Sequence, residues 1–501
     1  MIFINSSTRD GLKIFQAFLP IFPPIGIGLL MAVLSKNNIK SMCFDEQVEG
    51  NLLMKIDKII DQFEKPYIFG FNVLTASLNN AVSLARELKY KYPDSYVVFG
   101  GIHSTAMPDE VLAYDFVDIA VRGEAEGIIT ELYYNLKNNV KHLQIESVSY
   151  KYSGRIIHNK RTSVILKIDD FSNFPYHIFG NTNYDMGFIM SSRGCPHDCI
   201  FCSNKINSTS KFRYRNPDNV VDELIMLYKN YNRRYVYFID DNLLANKNRV
   251  IELSRKIRKS EIHGKMIFNF QARGDNADYE VLKELLIAGF KGVYYGIETA
   301  SEKLMKSLNK GETVEQVVEA IKISKQIGMH VSGNYIFGLP SETHQDRMQA
   351  IQLTKELDLD LVKYNNATPY PGTELYNHAK DTNRLKIKGI YENINSVSTF
   401  IENPFKKIPF SYVPENNSEG EIRHDILLGY LKFYFRFKRL KGVFTKPDLN
   451  NAWFDFGHSY KDFFRKSPGI LILFFYLFIK FGIFIISHTF YILKSKKQIR
   501  K

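Results

Sequence analysis

A chain of 501 residues is too long for one hydrophobic core and points to several domains. With 45% apolar and 24% charged residues it is a folded globular protein rather than a disordered one; its four cysteines exclude a disulfide framework and fit a reducing compartment. The net charge of +13 leaves a nucleic acid, a membrane surface or an acidic ligand open as partners.

The opening stretch MIFINSSTRDGLK (1–13) has neither the basic flank nor the apolar run of a signal peptide, so a cytoplasmic protein is expected. Strands are predicted at IFIN (2–5), IKSMCFD (39–45), YIFGFNVLT (67–75) and YVVFGGIHS (96–104), and a short one opens DIAVRGEAEGIITELYYNL (118–136). Helices fall between them, at PPIGIGLLMAVLSKNN (23–38), at LNNAVSLARELKYKYP (78–93) and in the second half of 118–136. Such alternation gives an α/β fold, a doubly wound Rossmann-like parallel sheet over 1–140, whose ligands bind beyond the carboxyl ends of the strands. Asn72 to Ser77, Gly100 to Ser104 and Gly123 to Glu126 then surround one crevice.

Residues 141–185 read as a polar connector with a hairpin at SVSYKYSGRIIH (147–158). A second alternation fills 186–385, with strands at GFIMSS (187–192), YVYFID (235–240), IFNFQA (267–272), GVYYGIE (292–298), HVSGNYIFG (330–338) and LVKYNNATPY (361–370). Helical stretches separate them, and six βα units make a partial TIM-like barrel with its chemistry at the carboxyl ends of the strands. From 386 to 501 a helical, aromatic-rich region follows. Within it GILILFFYLFIKFGIFIISHTFYIL (469–493) exceeds the about 20 residues a bilayer span needs. Lys480, near its middle, makes a span costly. A span, a helix lying in the membrane interface and an apolar helix docked on the protein all stay open. The basic stretches LKFYFRFKRLKGVFTK (431–446) and KSKKQIRK (494–501) flank the segment.

The first barrel strand runs into SSRGCPHDCIFCSNK (191–205), which places Cys195, Cys199 and Cys202 at C-x3-C-x2-C spacing. Structural zinc wants four ligands, and His197 could be the fourth. A redox pair would leave one cysteine idle. Thiolates in a loop this compact also hold iron–sulfur clusters, and three of them leave one iron open. Cys43 lies in the other domain and reads as a small buried residue.

With Phe201 before the last cysteine, the loop resembles the signature of radical S-adenosylmethionine (SAM) enzymes. The resemblance implies a [4Fe-4S] cluster on Cys195, Cys199 and Cys202 whose open iron chelates SAM, and reductive cleavage of SAM to a 5′-deoxyadenosyl radical. It extends to the other strand ends. Asp240, Asp241 and Asn242 would meet the SAM ammonium, or cap a helix. Arg273 would fork onto the SAM carboxylate, or onto a structural acid. Glu298 would bind the ribose or close a barrel ion pair. FGLPSET (337–343), with Gly338, would turn beside the adenine, or be a turn with Ser341 as the helix cap.

A doubly wound domain before such a barrel resembles the cobalamin-dependent branch of that family. Gly70, Thr75, Ser77, Gly100, Gly101, His103, Gly123 and Glu124 would then surround cobalamin, His103 without a role as cobalt ligand. The D-x-H-x-x-G motif that supplies a cobalt-binding histidine in other cobalamin proteins is absent, so either cobalamin is held without one or the domain is Rossmann-like and holds no cobalamin. Methylthiotransferases carry a second three-cysteine site in the N-terminal domain, where this chain has only Cys43. The resemblance implies methylation of an unactivated carbon, or of phosphorus, in a lipid or natural product. The alternatives are a radical cyclase resembling the anaerobic magnesium-protoporphyrin monomethyl ester cyclase and a non-catalytic membrane-associated cobalamin or redox sensor. Expected partners are a small-molecule or lipid substrate, an electron donor such as flavodoxin or ferredoxin, no nucleic acid, and the cytoplasmic face of a membrane through 469–493.

Overall fold

A computed structural model describes residues 1–7, 20–161, 167–170, 173–180, 184–208, 211–436 and 460–499. Of the stretches singled out above, 8–13, 437–446 and 500–501 lie outside the described residues.

The N-terminal sheet contains β1 (Ile2–Asn5), β2 (Met42–Asp45), β3 (Ile68–Asn72), β4 (Tyr96–Gly100), β5 (Ile119–Val121), β6 (Val148–Tyr152) and β7 (Arg155–His158), in the order β2-β1-β3-β4-β5-β6-β7. The pairs from β2 to β5 are parallel. Helices such as Ile25–Lys36 and Leu78–Lys91 connect them, so β1 is buried on both faces and its four residues are all apolar or paired. Asn5 ends β1 by donating to Asp45 at 2.9 Å and accepting from Asn72 at 3.0 Å, which ties three strand ends together. The hairpin read into the connector is the far edge of this sheet. Its first strand, β6, pairs antiparallel with β5 through Ile119↔Tyr150 and Val121↔Val148.

The second sheet is the partial barrel. It uses β8 (Phe188–Ile189), β11 (Tyr235–Phe238), β12 (Ile267–Ala272), β13 (Phe290–Glu298), β14 (His330–Phe337) and β15 (Leu361–Asn366), all parallel, in that spatial order. Between β8 and β11 a small antiparallel ribbon, β9 (Ser192–Arg193) with β10 (Arg213–Tyr214), brackets the cysteine loop. The strand expected at 187–192 is therefore broken after two residues. The barrel helices start cleanly: Asn216, Asn246, Asp278, Thr313, Thr343 and Thr373 each accept an N–H of the first turn. Thr343, not Ser341, caps helix 344–356; Ser341 sits in the turn at φ +64°.

Helix 419–434 closes the barrel edge. Its Tyr430 hydroxyl reaches Tyr364 N and O, and its Tyr434 hydroxyl reaches Val362 O at 2.9 Å. Helix 460–499 lies against that layer. Its stretch Leu471–Thr489 is long and apolar enough to cross a membrane by length and composition. One face is nevertheless docked on the protein: the Lys480 ammonium donates to the carbonyls of Phe400 (3.0 Å) and Glu402 (2.9 Å).

Candidate functional site

The cysteine loop is fixed at both ends and in its middle. Upstream, the buried Asp240 carboxylate accepts from Ser191 N (3.2 Å), Ser191 Oγ (2.7 Å) and Ser192 Oγ. Gly194, at φ +81°, donates its N–H to Asp241 at 3.2 Å. In the middle, Ile200 N donates to Leu308 O (3.1 Å) and Ile200 O accepts from Leu375 N (3.0 Å). The loop is thus stitched to segments that follow β13 and β15. Cys202 N closes a turn onto Cys199 O at 3.1 Å.

Cys195, Cys199 and Cys202 are all free and half-buried. Burial raises all three thiols, Cys199 to about 11 and Cys202 to about 12, despite the nearby cations Lys310 and Arg273 beside Cys199. Unliganded, these sulfurs keep their protons at neutral pH; a soft cation in the loop replaces those protons and removes the penalty. A donor set of three adjacent thiols therefore fits an iron–sulfur cluster. Cys43 is on β2 of the other sheet, where burial, with Asp45 and Glu49 nearby, pushes its thiol well above the usual range.

Beside the loop lies a buried network of charges. Lys310 contacts Glu298 at 3.2 Å and Glu312 at 2.8 Å, and donates to Gly296 O. Glu312 also accepts from Gly274 N (2.9 Å) and Asp275 N (3.2 Å). Arg273 is forked onto Asp275 at 3.0 and 2.9 Å, so the structure gives it a carboxylate on its own strand end. Glu298 holds φ +61° at a register break between β13 and β14, and its other oxygen takes Asn334 Nδ2 at 3.4 Å. His197 and Arg273 both border Gly311, whose Cβ would lie 3.8 and 3.9 Å from them. Asn242 donates to Asn276 at 3.2 Å, while its buried Oδ1 has no partner. That acceptor, at the end of β11, suits an ammonium donor such as that of SAM. Phe201 packs against the apolar cluster of Leu308, Leu339 and Leu375. Gly338, at φ +87°, donates to Glu342, whose acid burial raises to about 8 and which Arg347 contacts at 3.3 Å.

The two sheets face each other across a cavity of about 360 Å³. From the first sheet come Gly70 to Asn72, Gly100, Gly101, Gly123 and Glu124; from the second come Ser192 to Gly194 and Asp241, next to the cysteine loop. Gly26 and Gly100 leave open backbone there: a Cβ on Gly26 would meet nothing within 4 Å, and one on Gly100 only Phe71 O at 3.8 Å. Such a cradle fits a large flat cofactor lying on the strand ends. The expected residues Thr75, Ser77 and His103 do not line it. His103 is buried against Thr75 (3.1 Å) and the Tyr391 ring (5.1 Å), and burial lowers it to about 4; Ser77 holds the turn at Leu74.

Four charges clasp the domains across this cavity. Arg213 grips Glu124 at 2.7 and 2.8 Å, and Arg193 contacts Glu126 at 2.6 Å and Glu124 at 3.6 Å. Of these, sequence reasoning placed Glu124 and Glu126 at the crevice but found neither arginine; it also missed Gly26, Lys310 and Glu312. The signals were present, as acids alternating in RGEAEG and opposite charges in NKGET, but their partners lie far away in sequence.

Family comparison agrees with this geometry. Residues 189–354 match the model of the radical SAM superfamily, and residues 13–133 match that of the B12 binding domain. The chain is 30% identical over 370 residues to an uncharacterised methyltransferase of Pyrococcus horikoshii, covering 72% of this chain and 80% of that one. It is 23% identical over 438 residues to the anaerobic magnesium-protoporphyrin IX monomethyl ester cyclase of Rubrivivax gelatinosus, covering 85% and 76%. Among solved structures, the cobalamin-dependent SAM radical enzyme OxsB, bound to aqua-cobalamin and SAM, superposes with a TM-score of 0.67 at 16% identity, over 93% of this chain and 70% of that chain. The radical SAM methyltransferase TsrM of Kitasatospora setae, with cobalamin and a [4Fe-4S] cluster, gives 0.63 at 16% identity, over 76% and 77%.

Proposed function

We propose that this chain, which belongs to the cobalamin-dependent radical SAM enzymes, transfers a methyl group to an unactivated carbon, or to phosphorus, of a lipid or natural-product substrate. One observation carries the proposal: the cavity has the glycine-rich strand ends as one wall and the approach to the cysteine loop as the other. When bound, the cluster with SAM supplies a carbon-centred radical, and cobalamin supplies a transferable methyl group.

The chain's own residues do the rest. Cys195, Cys199 and Cys202 would hold the cluster, and the buried Asn242 Oδ1 would accept from the SAM amine. Lys310 bridges Glu298 and Glu312 in a buried site, so their oxygens stay fixed at the ends of β12 and β13. Gly26 and Gly100 leave open backbone against which a corrin would lie. The four-charge clasp holds the two halves at one spacing, which positions the reacting groups before chemistry begins. Flavodoxin or ferredoxin suits the reducing partner such chemistry needs. A cyclase outcome is the second reading, favoured by the alignment of the Rubrivivax cyclase over most of this chain.

Anaerobic reconstitution with iron, sulfide and cobalamin tests the assignment. Expected are about four irons per chain and 5′-deoxyadenosine from SAM; neither forming would refute it. Metabolites of cells with and without the gene then separate the readings. A product heavier by one methylene supports methylation, and a loss of hydrogen without added carbon supports cyclisation.

A further inference from the structure

Helix 460–499 has two apolar faces with different fates. On one, Leu473, Tyr476, Lys480, Phe481 and Phe484 are buried. Tyr476 donates its hydroxyl to the carbonyls of Ile401 (3.2 Å) and Glu402, and Lys480 bridges the carbonyls of Phe400 and Glu402. Phe481 packs on Phe435 at 5.1 Å, and His488 meets His424 at 2.7 Å. On the other face, Leu471, Ile472, Phe475, Phe478 and Ile486 expose between 61% and 76% of their surface, and Ile483 and Ile485 expose 40% and 46%. At 100° per residue these seven form one stripe, opposite Lys480.

Soluble surfaces rarely carry so many large apolar side chains side by side. We infer that this stripe is a monotopic membrane anchor, seated in the interface of a bilayer rich in anionic lipid. Charge complementarity selects that occupant. Lys461, Arg465 and Lys466 precede the stripe, Lys494, Lys496, Lys497, Arg500 and Lys501 follow it, and the segment before the helix is rich in lysine and arginine. Basic flanks about an apolar stripe are the composition of helices that lie on anionic membranes. The docked face decides between lying and spanning. To cross a bilayer the helix must strip Lys480 and Tyr476 from the three carbonyls of Phe400, Ile401 and Glu402 and carry the ammonium into hydrocarbon. Lys480 is thus a bolt holding the helix on the enzyme, with its greasy side turned outward. A lipid substrate would then meet the enzyme at the membrane surface.

The test uses the full chain and does not depend on its catalysis. Protein is floated with phosphatidylcholine vesicles, with or without phosphatidylglycerol. The anchor predicts flotation with the anionic vesicles, weaker flotation in high salt, and release by an alkaline carbonate wash. Phe475→Ser with Phe478→Ser, both exposed and therefore compatible with folding, reduces flotation at least about tenfold while circular dichroism is unchanged. Retention through the wash overturns the proposal in favour of a span. Concentration-dependent dimers by analytical ultracentrifugation, without flotation, overturn it in favour of a second copy. Flotation indifferent to the double substitution overturns the assignment of the stripe.

Discussion

Gly101 follows β4 at φ +92°, ψ −174°, a backbone region that is essentially glycine-only. A Cβ there would stand 2.7 Å from Asn72 Oδ1, 2.8 Å from Val73 O and 2.9 Å from Val73 N. Two of those atoms are backbone, so Gly101→Ala moves the chain rather than a rotamer. The strain is worth about 2 kcal/mol. The displaced bonds, His103 N to Val73 O and Val73 N to Gly100 O, are worth about 1 kcal/mol each. The sum, about 4 kcal/mol, lowers the melting temperature of the N-terminal unit by about 8–16 °C at about 2–4 °C per kcal/mol. Gly100→Ala is the control, since its Cβ meets only Phe71 O at 3.8 Å; it stays within about 0.5 kcal/mol of the parent. Differential scanning calorimetry of cofactor-free protein reads both. If the two variants melt within about 2 °C of each other, the strain account of this turn is wrong. Titration with cobalamin, followed by absorbance, should weaken for Gly101→Ala in parallel, because Asn72 lines the cavity.

Alanine at Cys195, Cys199 or Cys202 should leave reconstituted protein with under about one iron per chain instead of about four; a variant that keeps its iron is not missing a ligand. Lys310→Met strands Glu298 and Glu312 in a buried site and should cost about 3–5 kcal/mol in denaturant unfolding. It should also weaken SAM binding in equilibrium dialysis with iron content intact, and a neutral result would show that the network is dispensable. His103 titrates at about 4 instead of 6.5 because burial disfavours its cation. The unfolded chain therefore binds that proton more tightly. The resulting stability is complete above about pH 6.5 and is lost as pH falls toward 4, by up to about 3 kcal/mol. His103→Gln should flatten that acid limb, and an unchanged slope would place the titration elsewhere.

What the sequence made legible was local. The C-x3-C-x2-C loop, the strand ends and the glycines at 100, 101 and 123 announce themselves through spacing and turn chemistry. Pairings across long separations stayed hidden. Nothing in SVSYKYSGRIIH says that its first strand will sit antiparallel to β5, because that pairing depends on an unfilled sheet edge. Asp240 reads as an amine ligand or a cap from sequence; only the fold shows Ser191 and Ser192 on its oxygens. Arg273 and Glu298 each offered a ligand role and a structural one, and the structure supplies the structural partners, Asp275 and Lys310. Lys480 looked like a defect in an apolar helix until its carbonyl partners, some 80 residues earlier, were in view.

The clasp of Glu124 and Glu126 with Arg193 and Arg213 has a meaning for modular exchange. In these pairs the N-terminal side supplies the two carboxylates and the barrel side the two guanidinium groups, all largely buried. A hybrid joining this N-terminal sheet to a foreign barrel takes Arg193 and Arg213 away from Glu124 and Glu126, and the reciprocal hybrid takes both carboxylates away from the two arginines. The halves are interchangeable only as a matched set, with the seam serving as the key that decides which barrel a given sheet accepts.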